Sequence, residues 1–294
     1  MLKAVNVEKY FEEKHILNCI NITLKEGRVF GLVGTNGAGK STLLRTLCGI
    51  YSTDGGKVYL NDLAVNDNPE IKSEIGYLSD DPAFLHASTI LQMGRFQKAY
   101  YPQQDEARLA ELCNRFSLPI NEKISSLSKG TQKRVQVCLA LSRRPKVLLC
   151  DETFDGLDPV MKDTFRKVIS EETYDRGMIT VMAGHNLQEM EGLCDSVGFL
   201  HNGKILTSGD MDTVIGGMVR IQFATSVPLE EEELKNLNPL KIQRQGRLCV
   251  LTLRGNEDTA VQAVQQFMPM FTEILPLSLE EVFILEMEEQ GYAK

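Results

Sequence analysis

Gly34-Thr35-Asn36-Gly37-Ala38-Gly39-Lys40-Ser41 fits the spacing of a phosphate-binding loop at every constrained position. Ahead of it Arg28 to Val33 is a short apolar run, and behind it Leu43, Leu44 and Leu47 recur at helical spacing within Lys40 to Cys48. Strand, loop and helix therefore follow in the order that phosphate binding requires. The glycines let backbone amides turn towards phosphate oxygens without Cβ clashes, and the helix start adds partial positive charge. The pattern implies MgATP bound along Gly34 to Thr42, with Lys40 on the β and γ phosphates and Ser41 on magnesium.

Magnesium beside Ser41 needs a fixed carboxylate, expected at the end of another buried strand. Val147-Leu148-Leu149-Cys150-Asp151-Glu152 supplies one. Asp151 is the expected magnesium-side acid, direct or through water, and Glu152 the general base that polarises the attacking water. A further apolar run, Met178 to Ala183, ends just before His185. Strands of this kind alternating with helical stretches predict a mostly parallel α/β sheet with its functional residues at the strand carboxyl ends.

Between the first two strands, Pro82 to Arg144 reads as an inserted, mainly helical subdomain. Asp105 is placed to cap a helix carrying Leu109, Leu112, Cys113 and Phe116 on one side, and Gly130 to Ser142 continues helically. After about Asp210 the pattern changes to short alternating strands around Val219 to Phe223 and Leu248 to Leu251, then a helix from Asp258 to Phe267. Ser278 and Glu281 form a capping box ahead of a last helix. The division expected is an ATPase domain over 1–210, with the helical subdomain at about 82–144, and a small α+β accessory domain over 211–294. Glu230 to Glu233 reads as a solvated helix start.

A formal charge of -8 and a pI near 5.2 argue against a broad basic face for nucleic acid. No apolar run approaches the roughly 18 to 20 residues needed to cross a bilayer, and Met1 to Tyr10 lacks the layout of a signal peptide. A soluble cytoplasmic chain is expected, reaching a membrane only through a partner. The seven cysteines are scattered, without metal-ligand spacing, and read as reduced core residues.

Leu127-Ser128-Lys129-Gly130-Thr131, standing shortly before the strand that ends in Asp151-Glu152, resembles the Leu-Ser-Gly-Gly-Gln signature of ABC ATPases. The resemblance covers almost all of Met1 to Asp210. It implies a P-loop ABC-ATPase fold: a mostly parallel sheet core, an antiparallel β subdomain, the inserted helical subdomain and a small appended α+β unit. It also implies that Phe11, by its spacing before Leu17, stacks on adenine, a contact worth about 1–3 kcal/mol, with Tyr10 as the alternative. Gly156-Leu157-Asp158 resembles the loop that touches the opposite subunit. His185 resembles the switch histidine at the γ phosphate. Ser128, Lys129 and Gly130, with the following helix start, are implied to face ATP held by a second ATPase chain, so that ATP binding closes a homodimer or heterodimer and hydrolysis opens it.

This sequence departs from the family at three places. Lys129 and Thr131 replace the first glycine and the glutamine of the signature, and Lys129 is expected in solvent. Asp80 stands where a glutamine is usual; it can contact magnesium or its water but cannot donate as an amide does. Thr153-Phe154-Asp155 replaces Pro-Thr-Asn after the glutamate, altering packing rather than chemistry. Gly203-Lys204-Ile205, Ser208-Gly209-Asp210 and Ser278 to Phe283 resemble the tail of bacterial exporter ATPases that serve separate permeases. The expected function is ATP hydrolysis driving a membrane permease in export, at the inner face of the plasma membrane. An importer ATPase or a non-transport ABC ATPase of DNA repair or translation is the alternative. The repair kind is disfavoured because no heptad coiled coil separates Lys40 from Leu127, and the translation kind because one cassette is present.

Overall fold

The computed structural model describes residues 1–153 and 157–291. The chain divides into two compact units: Met1–Asn186 with Leu193–Thr207, and Leu187–Gly192 with the chain from Ser208 onward.

The first unit is built on two sheets. Strands β1 (Leu2–Phe11), β2 (Lys14–Leu24), β3 (Val29–Val33), β4 (Gly55–Leu60) and β5 (Leu63–Ala64) are followed by β6 (Ile75–Leu78), β7 (Val147–Asp151), β8 (Ile179–Gly184), β9 (Ser196–His201) and β10 (Lys204–Asp210). β3, β7 and β8 are buried along their whole length, as continuous apolar runs covered on both faces should be. They lie inside a six-stranded sheet of order β10-β9-β3-β8-β7-β6, in which β9, β3, β8, β7 and β6 pair in parallel. The second sheet, β2-β1-β4-β5, is antiparallel and alternates buried with exposed residues.

Helix α1 (Lys40–Leu47) follows β3, and its Leu43, Leu44 and Leu47 join one core with Leu17 and Ile20 of β2, Leu32 of β3 and Leu149 of β7. This core fixes the turn between β3 and α1. Helices α2 (Pro69–Ser73), α3 (Ile90–Lys98), α4 (Glu106–Arg115), α5 (Lys129–Leu141) and α6 (Pro159–Ser170) complete the unit. Asp105 caps α4 by accepting from the Ala107 and Arg108 amides, and Leu109, Leu112, Cys113 and Phe116 are buried. Glu172, buried, takes both Arg108 and Arg176, and Arg115 pairs with Glu171 at 2.5 Å, which ties α4 to the segment after α6.

The second unit holds α7 (Leu187–Glu191), α8 (Met211–Ile215), β11 (Met218–Ala224), α9 (Glu231–Lys235), β12 (Lys241–Gln245), β13 (Leu248–Arg254), α10 (Glu257–Gln265), β14 (Phe271–Leu275) and α11 (Leu279–Glu289). The sheet runs β12-β13-β11-β14, all antiparallel. Its inward residues Ile221, Phe223, Cys249 and Leu251 pack with Ala260 and Val264 of α10. Ser278 and Glu281 form the capping box of α11, and the Leu279 amide donates to Glu191 Oε2 at 3.1 Å.

One expectation is corrected here. Cys19 is exposed on β2, where its thiol donates to Glu8 Oε1 at 3.3 Å; the other cysteines are buried and free.

Candidate active site

The phosphate loop is shaped by what a side chain would collide with. A Cβ on Gly34 would meet the Leu200 carbonyl oxygen at 2.4 Å, whereas Gly37 has open space around it and needs glycine for its φ of +81°. Gly39 combines both demands: its φ is +107°, and a Cβ there would meet Ile16 O at 3.2 Å. It is the N-cap of α1 and makes no side-chain cap bond, so the first amides of the helix point into the loop. Lys40 is buried and donates to the carbonyls of Gly34 at 2.7 Å and Thr35 at 3.1 Å. Burial lowers its pKa below the ordinary lysine value, and the nearby Glu152 and Asp151 oppose that shift.

Asp151, at the end of β7, is 2% exposed. Ser41 donates to its Oδ1 at 2.9 Å and Tyr77, at the end of β6, to its Oδ2 at 2.9 Å. Arg45 Nε in turn donates to the Tyr77 phenol at 3.1 Å, and its NH1 to Tyr51 at 3.3 Å. Burial pushes the Tyr77 phenol up, which keeps it a donor. Glu152 follows in a left-handed conformation, φ +48°, unusual for a residue with a side chain and costing about 1–3 kcal/mol. Its amide donates to Ala183 O at 3.0 Å, and its Oε1 lies 3.8 Å from His185 Nδ1, the residue after β8.

Beside the loop lies an open cavity of about 410 Å³. Asn36, Gly37, Gly39, Lys40, Ser41 and Thr42 form one side, with Glu152 and Ile16 completing the wall. Gly34, Thr35 and Ala38 belong to the loop itself: Gly34 and Thr35 hold Lys40, and the Ala38 amide donates to Thr35 O at 3.2 Å. Phe11 does not line the cavity. It is 40% exposed at the end of β1, edge-on to Tyr51 with ring centroids 5.2 Å apart, while Tyr10 stacks on His15 at 4.1 Å. Ile16, Tyr77 and Arg45 are site residues that the sequence reading did not pick out. Tyr77 sits one turn of the chain from Asp80 at the end of a strand beside β7, which is the signal that was there to use.

Asp80 faces Lys133 of α5 rather than Ser41, at 2.7 Å. Ser128 is exposed and caps α5, accepting from the Thr131 amide at 3.3 Å; Lys129 is exposed. Gly156, with Phe154 and Asp155, lies outside the described residues, whereas Asp158 caps α6 by accepting from the Met161 amide at 3.0 Å. For magnesium the donors present are hard oxygens, Ser41 Oγ and the Asp151 carboxylate. Among the described residues no group of three or more His, Cys, Asp or Glu forms a cage for a metal by itself. One or two protein oxygens completed by phosphate and water is the set magnesium takes, so the residues fit it.

A buried parallel strand ending in a phosphate loop, with a carboxylate from the end of another strand of the same sheet bound to the loop serine, defines a P-loop nucleoside triphosphatase. The sequence profile described as "ABC transporter" matches residues 17–155. The ABC transporter ATP-binding protein YtrB of Bacillus subtilis is 27% identical over 97% of this chain and 97% of its own length. The linearmycin resistance ATP-binding protein LnrL, also of Bacillus subtilis, is 30% identical over 77% of this chain and 75% of its own. A methionine import ATP-binding protein, MetN of Clostridioides difficile, is 27% identical over 89% and 86%. The solved structure of an ATP binding subunit of an ABC transporter is similar with a TM-score of 0.69 and 25% identity, over 73% of this chain and 91% of that one. The chain belongs to the ATP-binding proteins of ABC transporters. It is an ATP hydrolase of that kind. Among the described residues no helix is long and apolar enough to cross a membrane.

Proposed function

We propose that this chain hydrolyses MgATP in the cavity between Lys40 and Glu152 and so drives a separate membrane permease as an exporter. The observation that carries the reading is the convergence of Lys40, Ser41 and Glu152 on one cavity, with Asp151 hydrogen-bonded to Ser41 behind it. In this reading Lys40 leaves the Gly34 and Thr35 carbonyls for the β and γ phosphates, and the loop amides from Gly34 to Thr42 bind the remaining phosphate oxygens. Ser41 and Asp151 hold magnesium, which when bound neutralises charge on the phosphate oxygens. Glu152 accepts the proton of the attacking water, and His185 orients that water against the γ phosphate. Phe11, exposed at the end of β1, supplies the face for adenine, and Asp80 acts beside the site rather than on the metal.

The exposed Ser128 at the start of α5, with Lys129 and Gly130, is the surface we assign to ATP held by a second ATPase chain, a copy or a related protein. A second cleft, of about 370 Å³, suits the permease. It is lined by Arg143, stacked on Tyr101 at 4.1 Å, and by Lys72, with no acidic residue among its described walls. Arg143 is 7% exposed and its Nε has no hydrogen-bond partner, and neither has Gln97 Oε1. A permease segment bearing a carboxylate would accept from Arg143 Nε, and a backbone amide of the same segment would donate to Gln97 Oε1. Such docking would hold the chain at the inner face of the membrane. Export is favoured by the similarity to a resistance protein and by the tail strings Gly203 to Ile205 and Ser208 to Asp210; the import relative supplies the alternative direction.

The test is Glu152→Gln with MgATP. Retained ATP binding, turnover lowered by at least roughly 100-fold and a sedimenting two-chain species are expected. Full turnover by that variant would overturn the assignment of the base.

A further inference from the structure

Asp80 occupies a position where an amide side chain is expected, and its half-solvated carboxylate is paired with a cation. Lys133 Nζ donates to Asp80 Oδ1 at 2.7 Å. The same ammonium donates to the backbone carbonyl of Glu152 at 3.3 Å. The lysine side chain is 10% exposed and Asp80 59%, so the cation is the buried member and the carboxylate its half-solvated counter-charge. Glu152 is also the residue held at φ +48°, a conformation that persists only where its surroundings enforce it. Its amide is fixed by Ala183 O; on the carbonyl side, among the described residues, Lys133 donates to it.

We propose that Asp80 and Lys133 form a charged strap in which Lys133, held by Asp80, positions the Glu152 peptide for hydrolysis. The strap joins three pieces of chain: the loop after β6, the second turn of α5 and the turn after β7. Lys133 is a positioning residue, since it meets Glu152 through the backbone and not through the reacting carboxylate. Asp80 is the carboxylate that holds this ammonium at 2.7 Å. With that counter-charge removed, the buried ammonium is less well compensated, its hold on the Glu152 carbonyl weakens, and the left-handed turn relaxes. A departure from the family pattern at Asp80 is thereby matched by a partner elsewhere in the same chain, because a carboxylate calls for a cation where an amide would accept another amide.

The inference rests on Glu152 being the general base, and its test reads the turn itself as well as turnover. The full chain would be compared as wild type, Lys133→Gln, Asp80→Gln and the Asp80→Gln/Lys133→Gln double variant. Each single substitution should lower kcat roughly 10-fold or more with KM for ATP within about twofold, and should speed amide exchange over 150–153. The double variant, with two neutral amides able to bond each other, should recover most of both. Exchange over 150–153 unchanged in Lys133→Gln would overturn the strap, as would losses that simply add in the double variant. Faster exchange with full kcat would instead remove the Glu152 peptide from the catalytic requirement and overturn its positioning role. Failure of the general base itself is read separately, from Glu152→Gln.

Discussion

Tyr77 donates its phenolic proton to Oδ2 of Asp151 at 2.9 Å, leaving Oδ1 to Ser41. Both oxygens of a nearly fully buried carboxylate are thus spoken for, and the two donors come from opposite sides: the phosphate loop and the edge strand β6. Arg45 holds the phenol from behind. This arrangement aims one oxygen at the loop while the other anchors the carboxylate to the sheet.

Removing that anchor tests it. Tyr77→Phe leaves a buried carboxylate oxygen short of a donor, so unfolding stability should fall by about 1–3 kcal/mol in denaturant titration. The magnesium concentration for half-maximal ATPase activity should rise by roughly 3- to 10-fold, since the freed carboxylate no longer points in one direction. An unchanged magnesium response would remove Tyr77 from the site.

Lys40 predicts a pH response. Its pKa in the folded chain is lowered by burial beneath the ordinary value of 10.5, so the folded state resists the charged form. The destabilisation is present below the folded pKa and is relieved as pH rises from there towards 10.5, so this lysine adds stability with rising pH in that window. ATP affinity should run the opposite way, steady below the folded pKa and falling above it as the phosphates lose their cation. Calorimetric binding from neutral to alkaline pH checks this; Lys40→Ala should bind ATP weakly at every pH and lack the decline.

The glycines of the loop separate steric from conformational demand. Gly34→Ala places a methyl carbon 2.4 Å from Leu200 O, so β3 and β9 must shift, and a loss of about 2–4 kcal/mol is expected. Gly37→Ala meets nothing and should lose about 1 kcal/mol through its φ alone. Denaturant titrations without nucleotide give both numbers, and equal losses would contradict the geometry.

Much of this was legible in the sequence because the informative residues lie at strand ends. The runs before Gly34, Asp151 and His185 each marked a buried parallel strand, and the Asp105 and Ser278 caps appeared where their sequence patterns put them. β12, Lys241–Gln245, and β14, Phe271–Leu275, gave no readable alternation because their residues are mostly exposed at the sheet edges. Contacts across the fold were the illegible part. Nothing local ties Asp80 to Lys133 or Tyr77 to Asp151; each pair is made by strand order and by the path of α5. The exposure of Cys19 was likewise hidden: alternation from buried Leu17 would turn it inward, but the register with β1 shifts between Leu17 and Ile20 and Cys19, at φ +50°, faces out.

Arg143 offers the last test, because stability and coupling should part company there. A guanidinium that is 7% exposed, stacked on Tyr101, with its Nε unbonded, is an incompletely compensated buried cation. Arg143→Met keeps the bulk and drops the charge, so denaturant stability should stay within about 1 kcal/mol of wild type or rise. Basal ATPase activity should be preserved, since the residue is in the second cleft and not in the Lys40 cavity. If the cleft receives a permease carboxylate, co-purification with the cognate membrane protein and its stimulation of hydrolysis should both fall, by roughly 10-fold or more for loss of a buried charged partner. Charge reversal to Arg143→Glu should abolish both, and an Arg143→Met variant that still assembles and is stimulated like wild type would show that the cleft serves some other end.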